Sequence, residues 1–262
     1  MSYRLRDYEQ LLGSLSGRKP VGIAGFLDFD FTGRQNSVLL RHDVDRLAWR
    51  AVRMARLESR HAIRSTYYFR CTPDGRFPET AIAAIHALGH EVGYHYECLS
   101  ACNGDRIAAL VQFRRNLEIF RRLAPCRTVA MHGAPLSRHN NQDLLLGCHL
   151  QEFDLIADAS LSFSDVELAY FTDTGGRWNA GGAINFRDRV GMNPSRAPVP
   201  GVAGFGAWIS DYADPIYIST HPERWPQSRG GFIVAKLTDI LTNLAKQAVR
   251  TVSKMSTNAH RS

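Results

Sequence analysis

The sequence predicts an α/β protein: a parallel sheet with helical crossovers, either curled into a (β/α) barrel or laid out as an open doubly wound sheet. Three observations carry that expectation. Short β-branched and aromatic runs alternate with segments of helical periodicity. Unusual polar residues collect at the ends of those runs, where the strand C-termini of a barrel converge on an active site. No GxGxxG or Walker-type glycine loop favours a nucleotide-binding sheet.

Taken in order, Tyr3 to Leu15 has helical spacing, Pro20 to Gly33 is a Gly- and Phe-rich connector, and Ser37 to Leu40 is an apolar strand running into the charged cluster RHDVD. Leu47, Ala51, Met54, Ala55 and Leu57 recur at helical spacing between Arg46 and Arg60, and IRSTYYFR (Ile63 to Arg70) is the next strand. Pro78 opens a helix in the favoured first-turn position, Gly89 closes it, and HEVGYHYE (His90 to Glu97) is again a strand. A helix over Asp105 to Leu123 leads to a strand at Thr128 to His132; later strands are expected at Val166 to Thr172 and Ile216 to Thr220. Gly175 to Gly206, rich in Gly, Pro and Asn, reads as a long loop of the kind that carries function.

The 262 residues are 44% hydrophobic and 22% charged, which excludes disordered and fibrous classes. The net charge of +7 is concentrated in the segment from Lys236 onward, with five basic residues against one Asp. The remaining arginines are scattered, so nucleic-acid binding is not expected. Five cysteines without a CxxC pair suit a reducing compartment. The first residues are charged and lack the apolar core of a secretion signal, and no run approaches the ~20 apolar residues of a membrane span, so a cytoplasmic address is the expectation.

Asp43 and Asp45, two apart in an extended segment, face the same way, as a base and a metal ligand would. Asp45 also precedes a helix and would serve as its N-cap. His95 and Glu97 share the same spacing at another strand end, a donor pair that zinc accepts. His221 follows an apolar strand that Pro222 stops, so its imidazole emerges at the rim. His132 sits at a similar strand end, before Gly133 and Pro135.

RHDVD, STYYFR, GHEVGYHYE, MHGAPLS and STHPERW, in this order, resemble the polysaccharide deacetylase family, the NodB-homology group of carbohydrate esterases, over Val38 to Trp225. The resemblance implies a distorted (β/α) barrel over residues 1–235. It also implies a divalent metal, usually zinc, and removal of an N-acetyl group from an amino sugar in a saccharide or saccharide precursor. Asp43 corresponds to the family's base, Asp45 and His95 to metal ligands, and His221 to the group that protonates the leaving amine. Asp173 and Trp178, in YFTDTGGRW, correspond to the Asp and Trp that line the sugar pocket, which His132 also borders.

Two departures stand out. The family's second metal histidine falls where this chain has Leu99, leaving Glu97 and His132 as candidates for the missing ligand. The arginine that orients the family's base is replaced by His132 in MHGAP. A second function therefore stands beside the hydrolase: a barrel that has lost its metal and binds carbohydrate without cleaving it. Residues 236–262 form an amphipathic helix and basic tail, with Leu237, Ile240, Leu241 and Leu244 opposite Lys236, Lys246 and Arg250. That helix either packs on the barrel or a second subunit, or lies on an anionic membrane.

Overall fold

The computed structural model describes residues 4–15, 17–28, 35–134, 137–174, 190–191, 204–205, 208–209, 212, 214–235, 237 and 240. Its eight strands are β1 (Lys19–Val21), β2 (Ser37–Val44), β3 (Thr66–Arg70), β4 (Glu91–Tyr96), β5 (Thr128–Met131), β6 (Ala157–Asp158), β7 (Ala169–Thr172) and β8 (Ile216–Thr220). The helices are α1 (Leu5–Ser14), α2 (Ile23–Leu27), α3 (Ala48–Arg60), α4 (Glu79–Ala87), α5 (Cys98–Ala101) and α6 (Arg106–Arg121).

Every described strand pair is parallel, in the order β6-β5-β4-β3-β2-β8-β7. Because β8 occupies one edge of β2, β1 pairs with the N-terminal half of the other edge, below β3. A flat sheet would hold β6 and β8 five steps, or roughly 24 Å, apart. Instead the Tyr217 hydroxyl of β8 donates to the carbonyl of Ala159, just after β6, at 2.8 Å. The sheet is therefore curled into a half-barrel, with Leu39, Tyr68, Ala130, Tyr170 and Tyr217 filling its concave side. Gly93 permits that filling: a Cβ there would lie 2.6 Å from the Thr128 carbonyl oxygen and from the Tyr68 ring.

Strand alternation assigns the two faces. Along β2, Leu39, Arg41 and Asp43 face inward, whereas Val38 and Leu40 pack outward among Met54, Leu57 and the α1 residues Tyr8, Leu11 and Leu12. Helix α3 buries Ala51, Met54, Ala55 and Glu58 at the spacing its sequence shows. Helix α6 starts where Asp105 accepts hydrogen bonds from the N–H groups of Ile107 and Ala108, both at 3.0 Å.

The Gly- and Phe-rich connector at Pro20 to Gly33 holds the end of β1 and all of α2. The α2 N–H groups of Ile23 and Ala24 are taken by Thr66 Oγ1 and Glu91 Oε2, partners far away in sequence. Asp45 is not an N-cap: α3 begins at Ala48 behind Leu47, which holds left-handed φ 52° and makes no side-chain cap. From Arg229 the chain is helical through 235, and Ile233, Val234, Leu237 and Ile240 are exposed. No helix of the described residues is long and apolar enough to cross a membrane.

Candidate metal and hydrolytic site

Parallel pairing places all strand C-termini on one edge, and the register sets who meets whom. Arg70 is level with His95, His95 with Ala130, and His42 with Thr220, so the residues after β2, β4, β5 and β8 share one rim. At that rim Asp45 Oδ1 lies 3.5 Å from His95 Nε2 and 3.5 Å from His132 Nε2, with the two imidazole rings 5.3 Å apart.

Each ring is oriented from behind. The Ala130 carbonyl lies 3.0 Å from His95 Nδ1, and Glu97 Oε2 lies 2.8 Å from His132 Nδ1. Both partners only accept, so each ring donates from Nδ1 and presents its Nε2 to Asp45. Glu97 is therefore placed behind His132, and its other oxygen accepts from Arg70 Nη2 at 2.6 Å. Glu97, expected among the metal ligands, has both oxygens engaged away from Asp45, on His132 and Arg70. Burial works against the Glu97 charge, but His132 and Arg70 outweigh it and hold the carboxyl at about 2.

Asp45 Oδ1 is buried and has no hydrogen-bond partner. Burial opposes its charge, yet His132, His95 and His221 hold Asp45 well below the usual carboxylate range. No group of three or more His, Cys, Asp or Glu side chains among the described residues is drawn in tightly enough to hold a metal ion as it stands. The 3.5 Å spans nevertheless lie close to the roughly 3.3–3.4 Å ligand separation of a tetrahedral zinc site. An orphaned carboxylate oxygen faced by two imidazole Nε2 atoms is a donor set that fits a divalent cation.

Asp43 is gripped by Arg41, whose Nε and Nη2 donate to its two oxygens at 2.8 Å each. Arg41 is fully buried. Burial disfavours the Asp43 charge, but Arg41, His95 and His221 hold the carboxyl below its ordinary range. This arginine lies two residues upstream of Asp43 on the same strand. The i, i+2 alternation that pairs Asp43 with Asp45 applies equally to Arg41.

His221 emerges after β8 as expected, with Asp173 behind it. Asp173 Oδ1 meets His221 Nδ1 at 2.6 Å and accepts from Arg224 at 3.2 Å; Oδ2 accepts from the His221 backbone N–H at 3.0 Å and the Trp225 indole N–H at 2.8 Å. Asp173, expected against a sugar, is fully buried and all its acceptor capacity is used by His221, Arg224 and Trp225. Burial and Arg224 oppose the imidazolium, but Asp173 and Asp45 lift His221 to about 9. Trp178 lies outside the described residues. Leu99, the residue at the family's histidine position, sits in the apolar cluster with Tyr96 and Phe113, 7% exposed.

No protein-family model and no curated protein matches the chain. Among solved structures it is similar to a CE4 family pseudoenzyme from Bacillus anthracis, with TM-score 0.43 and 12% identity over 79% of this chain and 60% of that one. A mutant of that pseudoenzyme with restored enzymatic activity gives TM-score 0.39 and 13% identity over 80% and 63%. The Xyl-CE4 domain of a multidomain xylanase from the hindgut metagenome of Trinervitermes trinervoides gives 0.39 and 11% over 80% and 83%. The chain spans about three fifths of the length of the pseudoenzyme chains. These structural neighbours are CE4 family members, and likeness at this level assigns no residue a role.

Proposed function

We propose that the chain is a metal-dependent hydrolase that removes an N-acyl group, acetyl in the simplest case, from an amino sugar in a saccharide or saccharide precursor. The observation that carries this reading is Asp45 Oδ1, buried, unpartnered and faced at 3.5 Å by two imidazole nitrogens. Asp45, His95 and His132 would hold the cation, with zinc the natural choice for one carboxylate and two imidazoles. A cation there supplies an activated water and polarises the acyl carbonyl.

The chain's own residues divide the proton work. Asp43, ionised and fixed on both oxygens by Arg41, accepts the proton of the attacking water. His221, held at about 9, is protonated near neutrality and delivers its proton to the amine nitrogen as the C–N bond breaks. The products are the carboxylate of the acyl group and a free amino sugar. Asp173 fixes the His221 tautomer and ring, as Glu97 and Arg70 fix His132.

The test is metal content by elemental analysis of native protein, Asp45→Ala and His132→Ala, alongside deacetylation of N-acetyl amino sugars. Near-stoichiometric metal in the native chain, lost in both variants, is the expected result. A native protein that stays empty after incubation with zinc overturns the reading and leaves a carbohydrate-binding barrel.

A further inference from the structure

Outside the catalytic rim, a cleft of about 140 Å³ lies between the start of α3 and the turn after β8. Trp49, Arg50, Arg53, Trp225, Gln227 and Ser228 line it, and no carboxylate does. We propose that this cleft binds the phosphoryl group of a phosphate-linked saccharide, an inference that rests on the hydrolase reading and specifies its substrate class.

The arginines are held together in spite of their charges. Arg50 and Arg53 both stack on Trp49, with guanidinium carbons 5.1 and 4.7 Å from its ring centre. Burial and the repulsion of Arg53 and Arg46 push the Arg50 guanidinium below its ordinary range despite Glu223. Arg50 Nε is buried with no hydrogen-bond partner, while its Nη1 donates to the Glu223 carbonyl at 2.5 Å. Arg53 donates to Gln227 Oε1 at 2.7 Å, which turns the amide NH₂ of Gln227 away from Arg53 as a further donor. Like charges gathered around a cavity destabilise the chain until an anion joins them, and guanidiniums match phosphate in geometry as well as charge.

Size and position narrow the ligand. The volume is well below the roughly 300 Å³ of a pocket that encloses a whole small molecule, so the cleft takes one group of a larger ligand. His221 and Trp225 are four residues apart, so at most about 14 Å of chain separates the proton donor from the cleft wall. A ligand with its N-acyl group at the rim and a phosphoryl group a sugar away spans that interval.

Calorimetry on the full chain with inorganic phosphate and pyrophosphate tests the cleft without turnover, in native protein, Arg53→Glu and Arg50→Gln. Arg53 is exposed, so its replacement leaves the fold standing. Saturable binding, weakened about tenfold or more in both variants, is expected for the loss of a charge-assisted contact. Sedimentation with phosphatidylglycerol and phosphatidylcholine vesicles separates the sources. Binding to the soluble anions alone assigns a soluble phosphate ester, whereas variant-sensitive binding to the anionic vesicles assigns a lipid phosphate. No binding to any probe, or binding unchanged in both variants, overturns the proposal. Phosphate binding without deacetylation of any N-acetyl amino sugar overturns the hydrolase reading instead and leaves the cleft.

Discussion

Two buried polar clusters sit back to back on β2, and they differ in how completely their carboxylates are satisfied. On the outer face Glu58 Oε1 meets His42 Nε2 at 2.8 Å and the Tyr8 hydroxyl, and Oε2 accepts from Ser65 at 2.6 Å and Tyr67 at 2.7 Å. All four lone-pair positions of that carboxylate are filled by protein groups. On the inner face Asp45 Oδ1 has none. A saturated carboxylate braces the fold, as Glu58 ties α1 and α3 to β2 and β3 and Asp173 ties β7 to the turn after β8. An unsaturated one, kept ionised by its neighbours, is the position that the proposed cation would take.

The largest effects should separate the faces. Asp43→Asn should lower kcat/KM by about 10²–10⁴-fold, the span of one general base, and should also lower the urea midpoint, because the buried Arg41 guanidinium is left without its counter-charge. Native turnover in the folded fraction would move Asp43 into the bracing class. Glu58→Ala should act on the fold instead, costing about 3–5 kcal/mol in denaturant unfolding because three hydroxyl donors and His42 lose their acceptor. Residual metal content should remain native in the folded fraction.

Acidification tests the same contrast. Burial opposes the Glu58 charge, but His42 and His90 hold the carboxyl at about 2, against 4.5 for an ordinary Glu. Its folded-state value is depressed, so its contribution is complete above about pH 4.5 and is lost as pH falls toward 2. That loss amounts to roughly 3 kcal/mol by linkage. His90, pushed down chiefly by burial, acts in the same direction as it takes up a proton. Urea midpoints between pH 7 and 3 should fall steeply in the native chain and less steeply in Glu58→Gln.

Smaller effects sharpen the inner face. Leu99→His should leave zinc affinity unchanged and cost about 1–3 kcal/mol, since the imidazole enters an apolar cluster without a partner. A gain in zinc affinity would mean that Leu99, not His132, occupies the third ligand position. Asp173→Asn should move the alkaline limb of kcat/KM, expected near pH 9 from His221, to lower pH, because the neutral amide no longer supports the imidazolium. A limb that stays in place would assign the proton to another group.

Much of this is legible in the sequence. Apolar runs at period two and 3.6 locate β2, β3, β4, β5, β7 and β8 and the long helices, because those periods are properties of the chain itself. The shared direction of Asp43 and Asp45 follows from the same alternation, and it reaches Arg41 as well. The strand β1 and helix α2 were hidden because their backbone groups are satisfied by Thr66 and Glu91, which no local pattern announces.

The sequence by itself determined the α/β alternation, the residue types at each strand end and which of them point the same way. Only the tertiary structure decided that His132 joins Asp45 and His95, that Glu97 stands behind it, and that Asp173 serves His221. Those relations run across strands, so they depend on parallel register and on the curl that folds the sheet's edges together. Neither is encoded in the spacing of residues along one strand.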